Sequence, residues 1–494
     1  MKWLRENGLN ELVQLPAAVV AGVLLTWLLQ DFALRVVYPW DIEWMEGGML
    51  VHVWRLRHGL GMYVEPSSEF VPYIYPPLYP WLMSLIGEPS YAIGRSVSMC
   101  GAVAAGLAAV AAARQEGAGW GLSIGALGLW VSLYDESGGF YDLVRADALA
   151  IGLTAWSIVL VRRGSRPAVI AGGLLLVLGF LAKHNFAAFG LPMLVWLWRV
   201  HGRRRALEFV GASVVPALVA TIGIQVATDG WFLDYLLRVP GSHPMVAERA
   251  WPISEKELAT HTLLPNIGAA LVLVVFGVLR RRHHRALYWG GMLVIASALC
   301  ILMRAHHGGF INVLMPGHWT YAVVGVVAMS AGVQALPRFR WVGWMIASAV
   351  VAWQAWDSRW DREKNVPTPA DYEAGEQLIE IMEGIEGDIW APHFPWYPTY
   401  VGKKPFAPLI AIWDIDHKHG PMKKYVQGIK DDAARQRYGA ALGPRKDLKM
   451  GIKDAYTKKP LGVPGNGLRT KTGWRVRPSY LWLPKDKPTD APDE

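Results

Sequence analysis

The sequence predicts a polytopic α-helical membrane protein of about eleven transmembrane helices, followed by a soluble outer C-terminal domain of α/β or α+β type. Three observations predict it. Of 494 residues, 53% are hydrophobic and 18% charged, with 25 Trp and a mean hydropathy of +0.22, a balance too apolar for a soluble chain of this length. The apolar residues gather in blocks of 15 to 23 residues between Pro16 and Trp356, whereas Asp357 to Glu494 is polar and rich in Lys, Pro and Asp. Basic clusters recur at every second connection between the blocks.

The spans fall at residues 16–37, 91–113, 119–134, 145–161, 168–183, 186–200, 207–227, 265–279, 286–303, 312–332 and 341–356. Arg162, Arg163 and Arg166, then Arg203 to Arg205, then Arg280 to Arg282 with Arg285, then Arg338 and Arg340 mark the cytoplasmic side. An odd number of crossings leaves the N-terminus in the cytoplasm and the C-terminal domain outside. The chain thus divides into a transmembrane domain, 1–356, and a periplasmic or equivalent extracytoplasmic domain, 357–494, at a plasma (inner) membrane. Much of the +9 net charge is a topology signal, so membrane lipids are expected partners and nucleic acid is not, despite a pI near 9.3. Lys2 and Arg5 precede the first apolar run without a small-residue cleavage site, which predicts a retained first span. Cys100 and Cys300 both fall inside spans, so neither a disulfide nor a thiolate metal site is expected.

The loops rich in acids and aromatics, 38–90, 135–144, 228–264 and 304–311, then share the outer face. The first, of about fifty residues, is long for an idle connection. It opens with DIEWMEGG, which sets Asp41, Glu43 and Glu46 ahead of two glycines. From Glu46 to Leu60, Leu50, Val53, Trp54 and Leu56 recur at helical spacing with Arg55, Arg57 and His58 on other faces, predicting a short interfacial helix that ends at Gly59 and Gly61. Prolines from Pro72 to Pro80 then forbid a regular early helix. The apolar run to Ile86 is too short to span, which predicts a second interfacial or re-entrant element.

An acidic motif just after the first span, an interfacial helix ending in Gly59-x-x-x-Tyr63, then Tyr75-Pro-Pro-Leu-Tyr79 and Gly87-x-x-x-x-x-x-Gly94-Arg95 follow one another in this order. The order resembles the GT-C superfamily of membrane glycosyltransferases, in the branch of protein O-mannosyltransferases and lipid A aminoarabinose transferases. The likeness covers most of residues 1–356 in topology and the first loop in sequence. It implies transfer of a sugar from a polyprenyl-phosphate donor to a lipid, glycan or protein acceptor on the outer face, with inversion at the anomeric carbon. It also implies a first-loop Asp-Glu pair whose Asp is a general base or a metal ligand, so a divalent cation, Mg or Mn, is a candidate cofactor with Asp41 and Glu43 as candidate ligands. The motif departs from an adjacent pair. Counting back from the glycine that ends the interfacial helix puts Glu46 at the family's Glu, whereas spacing from the first span favours Asp41 or Glu43, and both registers stand.

A sugar phosphate already has a competent leaving group, so such an enzyme must mainly activate the acceptor and stabilise charge on the departing phosphate. A carboxylate beside the acceptor hydroxyl or amine takes its proton, and its neighbours position it or raise its pKa. In the second outer cluster, YDESGGFYDLVRAD at 134–147, Arg145 and Asp147 begin a span, where ionisable groups are costly and usually paired. By resemblance Asp147 is the second candidate acid, and Arg145 pairs with it or faces phosphate; the alternative is an ion pair that only sets helix packing. Cations are scarce on the outer side. Lys183 and His184 in LAKHNF, and Arg304, His306, His307 and Asn312 around Gly308 and Gly309 in RAHHGGFIN, are therefore candidate phosphate binders, with Tyr75 a further substrate-binding residue. Loop 228–264, with Trp231, Arg238, His243 and Arg249, has little regular pattern and is long enough to close over substrate.

In the C-terminal domain, PADYEAGEQLIEIMEGIEG predicts a helix with Leu378, Ile379, Ile381 and Met382 on a face, ended by Gly384 or Gly387. A short strand is expected at 388–391. The chain from Asp431 onward is poor in apolar residues and is expected to be loosely ordered, and nothing in this domain resembles a catalytic motif. Two rival readings remain. A transporter or lipid-translocating protein would share the spans but place charges near the midplane within internal repeats, which this sequence does not show. A catalytically inactive, lipid-binding relative fits the departure from an adjacent Asp-Glu pair.

Overall fold

The computed structural model describes residues 8–252, 256–258, 283–335, 340–444, 450–463 and 466–485. The predicted span 265–279 and the basic residues Arg280 to Arg282 and Arg338 lie outside the described residues. Every other predicted span coincides with a helix: α1 (Leu15–Val36), α4 (Tyr91–Gln115), α5 (Trp120–Ser132), α6 (Asp147–Val161), α7 (Arg166–Ala182), α8 (Gly190–Ala227), α9 (His283–Ala305), α10 (Met315–Gln334) and α11 (Arg340–Asp357). Two predicted spans, 186–200 and 207–227, share α8, which is broken only at Gly202 with φ at 81°. Among the described residues, five stretches are long and apolar enough to cross a membrane: Gly8–Val36, Tyr91–Gln115, His184–Ala227, His284–Ala305 and Ile311–Gln334. Helices α5, α6 and α7 are shorter apolar helices.

Small residues let these helices meet. A Cβ on Gly101 of α4 would lie 2.4 Å from the Ala148 carbonyl oxygen of α6, and one on Gly152 of α6 would lie 2.4 Å from the Gly101 oxygen. Between apolar helices in lipid there is no hydrophobic drive, so close backbone approach of this kind supplies the packing energy. Helix α4 also begins cleanly, with the Ser90 side chain accepting from Ile93 N. At one end of the bundle Glu116 binds Arg162 at 2.6 Å and Arg285 at 2.7 Å, while Arg166, Arg204 and Arg205 gather on Glu208. These basic clusters share that end. The first loop and the C-terminal residues occupy the other.

The first loop forms α2 (Glu46–Arg57) and the short α3 (Leu78–Ile86), as its pattern predicts. The described part of loop 228–264, residues 228–252 and 256–258, is more regular than expected, with helical turns at Trp231–Leu233, Asp234–Arg238 and Val239–Gly241. The C-terminal domain contains α12 (Pro369–Glu383), begun by a Thr368–Asp371 capping box, then β1 (Ile389–Trp390), α13 (Leu409–Ile415), α14 (Lys423–Ala434), β2 (Ala440–Gly443), β3 (Tyr456–Pro460) and β4 (Tyr480–Pro484). Its sheet has the order β1-β2-β4-β3, with β1–β2 parallel and the other pairs antiparallel. This corrects the expectation of loose order beyond Asp431, because β2, β3 and β4 all lie there, with Leu442, Tyr456 and Trp482 buried. Low average hydropathy hides strands so short that one or two inward side chains suffice to anchor each.

The domain is welded to the first loop. A Cβ on Gly375 of α12 would fall 2.2 Å from Trp40 Nε1, and the Tyr397 and Tyr400 rings sit 4.8 and 4.9 Å from the Trp40 ring. Lys471 N donates to the Ile42 oxygen at 2.8 Å, and the buried core runs without interruption from Ala17 to Trp482.

Candidate active site

The acidic motif spreads its three carboxylates onto three different sets of partners. Glu46, at the start of α2, is saturated: Oε1 accepts from Arg95 Nε (3.0 Å) and Val144 N (2.9 Å), and Oε2 from Ile42 N (2.6 Å), Glu43 N (3.1 Å) and Arg95 Nη2 (2.9 Å). Burial alone would raise its pKa, but the ion pair and hydrogen bonds from Arg95 outweigh it and hold the carboxyl below its ordinary value. Arg95 spends its remaining N–H groups on the Arg35, Tyr38 and Trp40 carbonyls, so the pair closes the loop onto α4.

Asp41 is buried too. Its Oδ1 accepts from Gly47 N and from Tyr91 Oη, both at 2.8 Å, whereas Oδ2 has no partner. Burial, and then the nearby Glu46 charge, push its pKa well up.

Glu43 faces the other way. Its Oε2 accepts from Met45 N (3.2 Å) and from Arg145 Nη1 (3.0 Å), and its backbone pairs with Thr472 of the C-terminal domain. A Cβ on Gly473 would lie 2.6 Å from Glu43 Oε1, so the left-handed glycine (φ 69°) lets the domain close on this carboxylate. Burial, opposed by Arg145, pushes the Glu43 pKa up to about 7.

From Glu43 a line of contacts crosses five more predicted residues. Arg145 Nη2 donates to Tyr75 Oη at 3.0 Å, and Arg145 Nε approaches Asp147 Oδ2 at 3.8 Å. Asp147 Oδ1 accepts from both Lys183 Nζ and Asn312 Nδ2, the latter at 2.8 Å. Tyr75, Arg145, Asp147, Lys183 and Asn312 therefore form one constellation with Glu43, though they come from separate connections of the bundle.

The remaining predicted residues sit apart from that line. His184 is next to Lys183, with a buried Nδ1 that lacks a partner. Arg304 is committed to Glu257, with Nε and Nη2 each at 2.8 Å, and to the Gly309 oxygen at 2.7 Å. His306 bonds the Pro240 oxygen at 3.1 Å and its ring lies 5.1 Å from that of His243 at 40°, while the His307 ring lies 5.3 Å from that of His417. Gly309 brings backbone close to the Met303 oxygen, which a Cβ placed on it would meet.

A divalent cation does not fit these acids. Asp41 offers one unbonded oxygen, Glu43 is turned to a guanidinium that would repel a cation, and Glu46 is full. Among the described residues no group of three His, Cys, Asp or Glu side chains is arranged to hold a metal.

Sequence reasoning missed the C-terminal share of the site. Asp414 of α13 lies within electrostatic reach of Arg145 and Tyr75, and burial, opposed by Arg145, raises its pKa to about 7. Its backbone oxygen bonds His243 Nε2 at 2.8 Å. Thr472, Gly473, Trp474 and His393 border Glu43 or Trp44. Their one visible signal was aromatic density in a polar segment.

The helical bundle, with a long first loop that carries the acids and C-terminal residues packed against that loop, shares its fold with solved structures. Two of these are structures of ArnT from Cupriavidus metallidurans. The apo form aligns with a TM-score of 0.57 at 12% identity over 94% of this chain and 97% of that one. The form bound to undecaprenyl phosphate aligns with a TM-score of 0.57 at 11% identity over the same shares. No family model matches the sequence, and no curated protein matches it either.

Proposed function

We propose that the chain is an integral membrane glycosyltransferase of the plasma (inner) membrane. It moves a sugar from a polyprenyl-phosphate donor to an acceptor on the outer face, with inversion at the anomeric carbon. The observation that carries the reading is the line Glu43–Arg145–Asp147–Lys183, which sets a carboxylate of raised pKa beside buried cations. The bound undecaprenyl phosphate of the second ArnT structure supports a lipid-phosphate donor.

Glu43 is the general base. Glu46 has no free lone pair directed outward, and Asp41 lies under Tyr91 and Tyr397, whereas Glu43 shares Arg145 with Tyr75 and Asp147. Glu43 takes the proton of the acceptor hydroxyl or amine as that atom attacks the anomeric carbon. The bond from that carbon to the phosphate oxygen breaks, and the electron pair leaves on the phosphate, which Arg145 and Lys183 neutralise. A single displacement of this kind inverts the centre. Asp147, itself held by Asn312 Nδ2, keeps Lys183 in place until phosphate arrives.

The test is mass spectrometry of lipid co-purifying with the protein, followed by transfer assays from that lipid's sugar adduct. A polyprenyl phosphate, with transfer lost in Glu43→Gln, is expected. A bound small solute in place of the lipid would favour a transporter instead.

A further inference from the structure

We propose that His243, His306, His307 and His417 form a pH-operated latch, which holds α13 against the segments 240–246 and 305–307 while its rings are neutral and releases it when they are protonated. The two segments are stitched into one unit. Val246 N donates to the Ala305 oxygen at 2.8 Å, His307 N donates to the Pro244 oxygen at 3.0 Å, and Met245 forms a bridge with His306. His417 meets that unit from the turn after α13. Its ring lies 4.2 Å from that of His243 and 5.3 Å from that of His307, and the His243 ring lies 5.1 Å from that of His306. His243 Nε2 also donates to the Asp414 oxygen at 2.8 Å, which joins the unit directly to the C-terminal domain.

Neutral rings fit this packing and charged rings do not. Because Nε2 of His243 carries the proton given to Asp414, a second proton would sit on Nδ1, which is buried and has no hydrogen-bond partner among the described residues. His243 is 7% exposed; burial first, and then His417, His306 and His307, push its pKa down to about 4 against the opposing Asp414 hydrogen bond. His417 is lowered by burial, then by His307, and further by His306 and Lys423, with Asp416 opposing. Asp416 is itself shared with Lys430 at 3.6 Å. On the bundle side His306 faces His184, which Lys183 adjoins, and Arg304 is tied to Glu257 at 2.8 Å. The Asp414 carboxylate interacts with Arg145.

A ring released into water regains its ordinary value of 6.5, so the open form binds more protons than the closed form at any pH between that value and about 4. Closure is favoured above this window and loses ground as pH falls through it. His243 alone shifts the balance toward opening by about tenfold or more between about pH 7.5 and about pH 5. Asp414 rides on α13, so release withdraws its carboxylate from Arg145.

Spin labels on Met245→Cys and Lys418→Cys, both exposed positions, report the distance across the latch by pulsed electron resonance, in full-length Cys100→Ser/Cys300→Ser protein in nanodiscs. One short distance is expected at about pH 7.5. At about pH 5 a longer population should be enriched about tenfold or more, and the short distance should return when the pH is restored. His243→Gln/His417→Gln should abolish most of that response, and His417→Lys, which fixes a charge in the cluster, should show the longer population at about pH 7.5. A distance that does not change with pH, a change that does not reverse, a full-sized response in His243→Gln/His417→Gln, or no opening in His417→Lys overturns the proposal. None of these measurements uses sugar transfer, so the transferase reading stands or falls separately.

Discussion

Glu46 and Arg95 form a two-point ion pair, Nε to Oε1 at 3.0 Å and Nη2 to Oε2 at 2.9 Å, with neither side chain accessible to solvent. The pair ties the acidic loop to α4 and fixes where Asp41 and Glu43 stand. Removing one partner strands the other as a buried charge, which costs about 3–5 kcal/mol. Arg95→Met and Glu46→Gln are therefore expected to lower the unfolding temperature in detergent sharply. Because the folded-state pKa of Glu46 is depressed, its contribution is present above its ordinary value of 4.5 and is lost as pH falls through the lower folded value. Unfolding temperatures unchanged from wild type would show that the pair does not brace the loop.

Glu43→Gln is the opposite kind of variant. It keeps the shape and a hydrogen-bond acceptor for Arg145, which retains Asp147 as a counter-charge at 3.8 Å, but cannot take a proton, so kcat should fall about a hundredfold to ten thousandfold with a smaller change in unfolding temperature than in Glu46→Gln. The base works only when ionised. With its pKa pushed up to about 7, activity should rise with pH through that value and level off above it. Asp414 titrates in the same range and shares Arg145, so the limb belongs to the pair. Asp414→Asn should keep activity and sharpen the limb into a single ionisation; loss of all activity in Asp414→Asn with full activity in Glu43→Gln would exchange the two roles.

Lys183 meets Asp147 in the absence of donor, so a lipid phosphate must compete with that carboxylate. Asp147→Asn removes the competitor and should tighten binding of polyprenyl phosphate several-fold, while Lys183→Met should weaken it by a larger factor. In the double variant the gain from Asp147→Asn should shrink, because its effect runs through Lys183. Binding measured in detergent by intrinsic fluorescence checks the cycle. Additive effects would mean that Lys183 does not meet the phosphate.

The bundle was legible because apolar blocks and arginine clusters are long-range averages that survive without knowledge of contacts. Arg145, Asp147, Lys183 and Asn312 stand out in the sequence because charged or polar groups at span ends are costly, and Tyr75 because it opens Tyr75-Pro-Pro-Leu-Tyr79. What the sequence hid was pairing. DIEWMEGG shows three equivalent acids, and only the fold reveals that Glu46 meets Arg95 while Glu43 meets Arg145. Arg304 stood out as an outer cation by the same logic, yet its partner Glu257 lies in a loop with no pattern to announce it. Asp414 and Trp474 do not stand out in the sequence, because Asp414 sits on the short helix α13 and Trp474 outside any helix or strand, and only the fold brings them near Arg145 and Trp44.

The basic clusters and the candidate site lie at opposite ends of the bundle, so the whole proposal turns on which end is outside. In a Cys100→Ser/Cys300→Ser background, Glu376→Cys on α12 and Arg204→Cys beside Glu208 place single thiols at exposed positions on the two ends. A membrane-impermeant maleimide added to intact cells or right-side-out vesicles should label the first and spare the second until the membrane is opened. The reverse pattern would put Glu43 and Lys183 in the cytoplasm, where the arginines would defy the bias that orients membrane proteins and the acceptor would have to be an intracellular one.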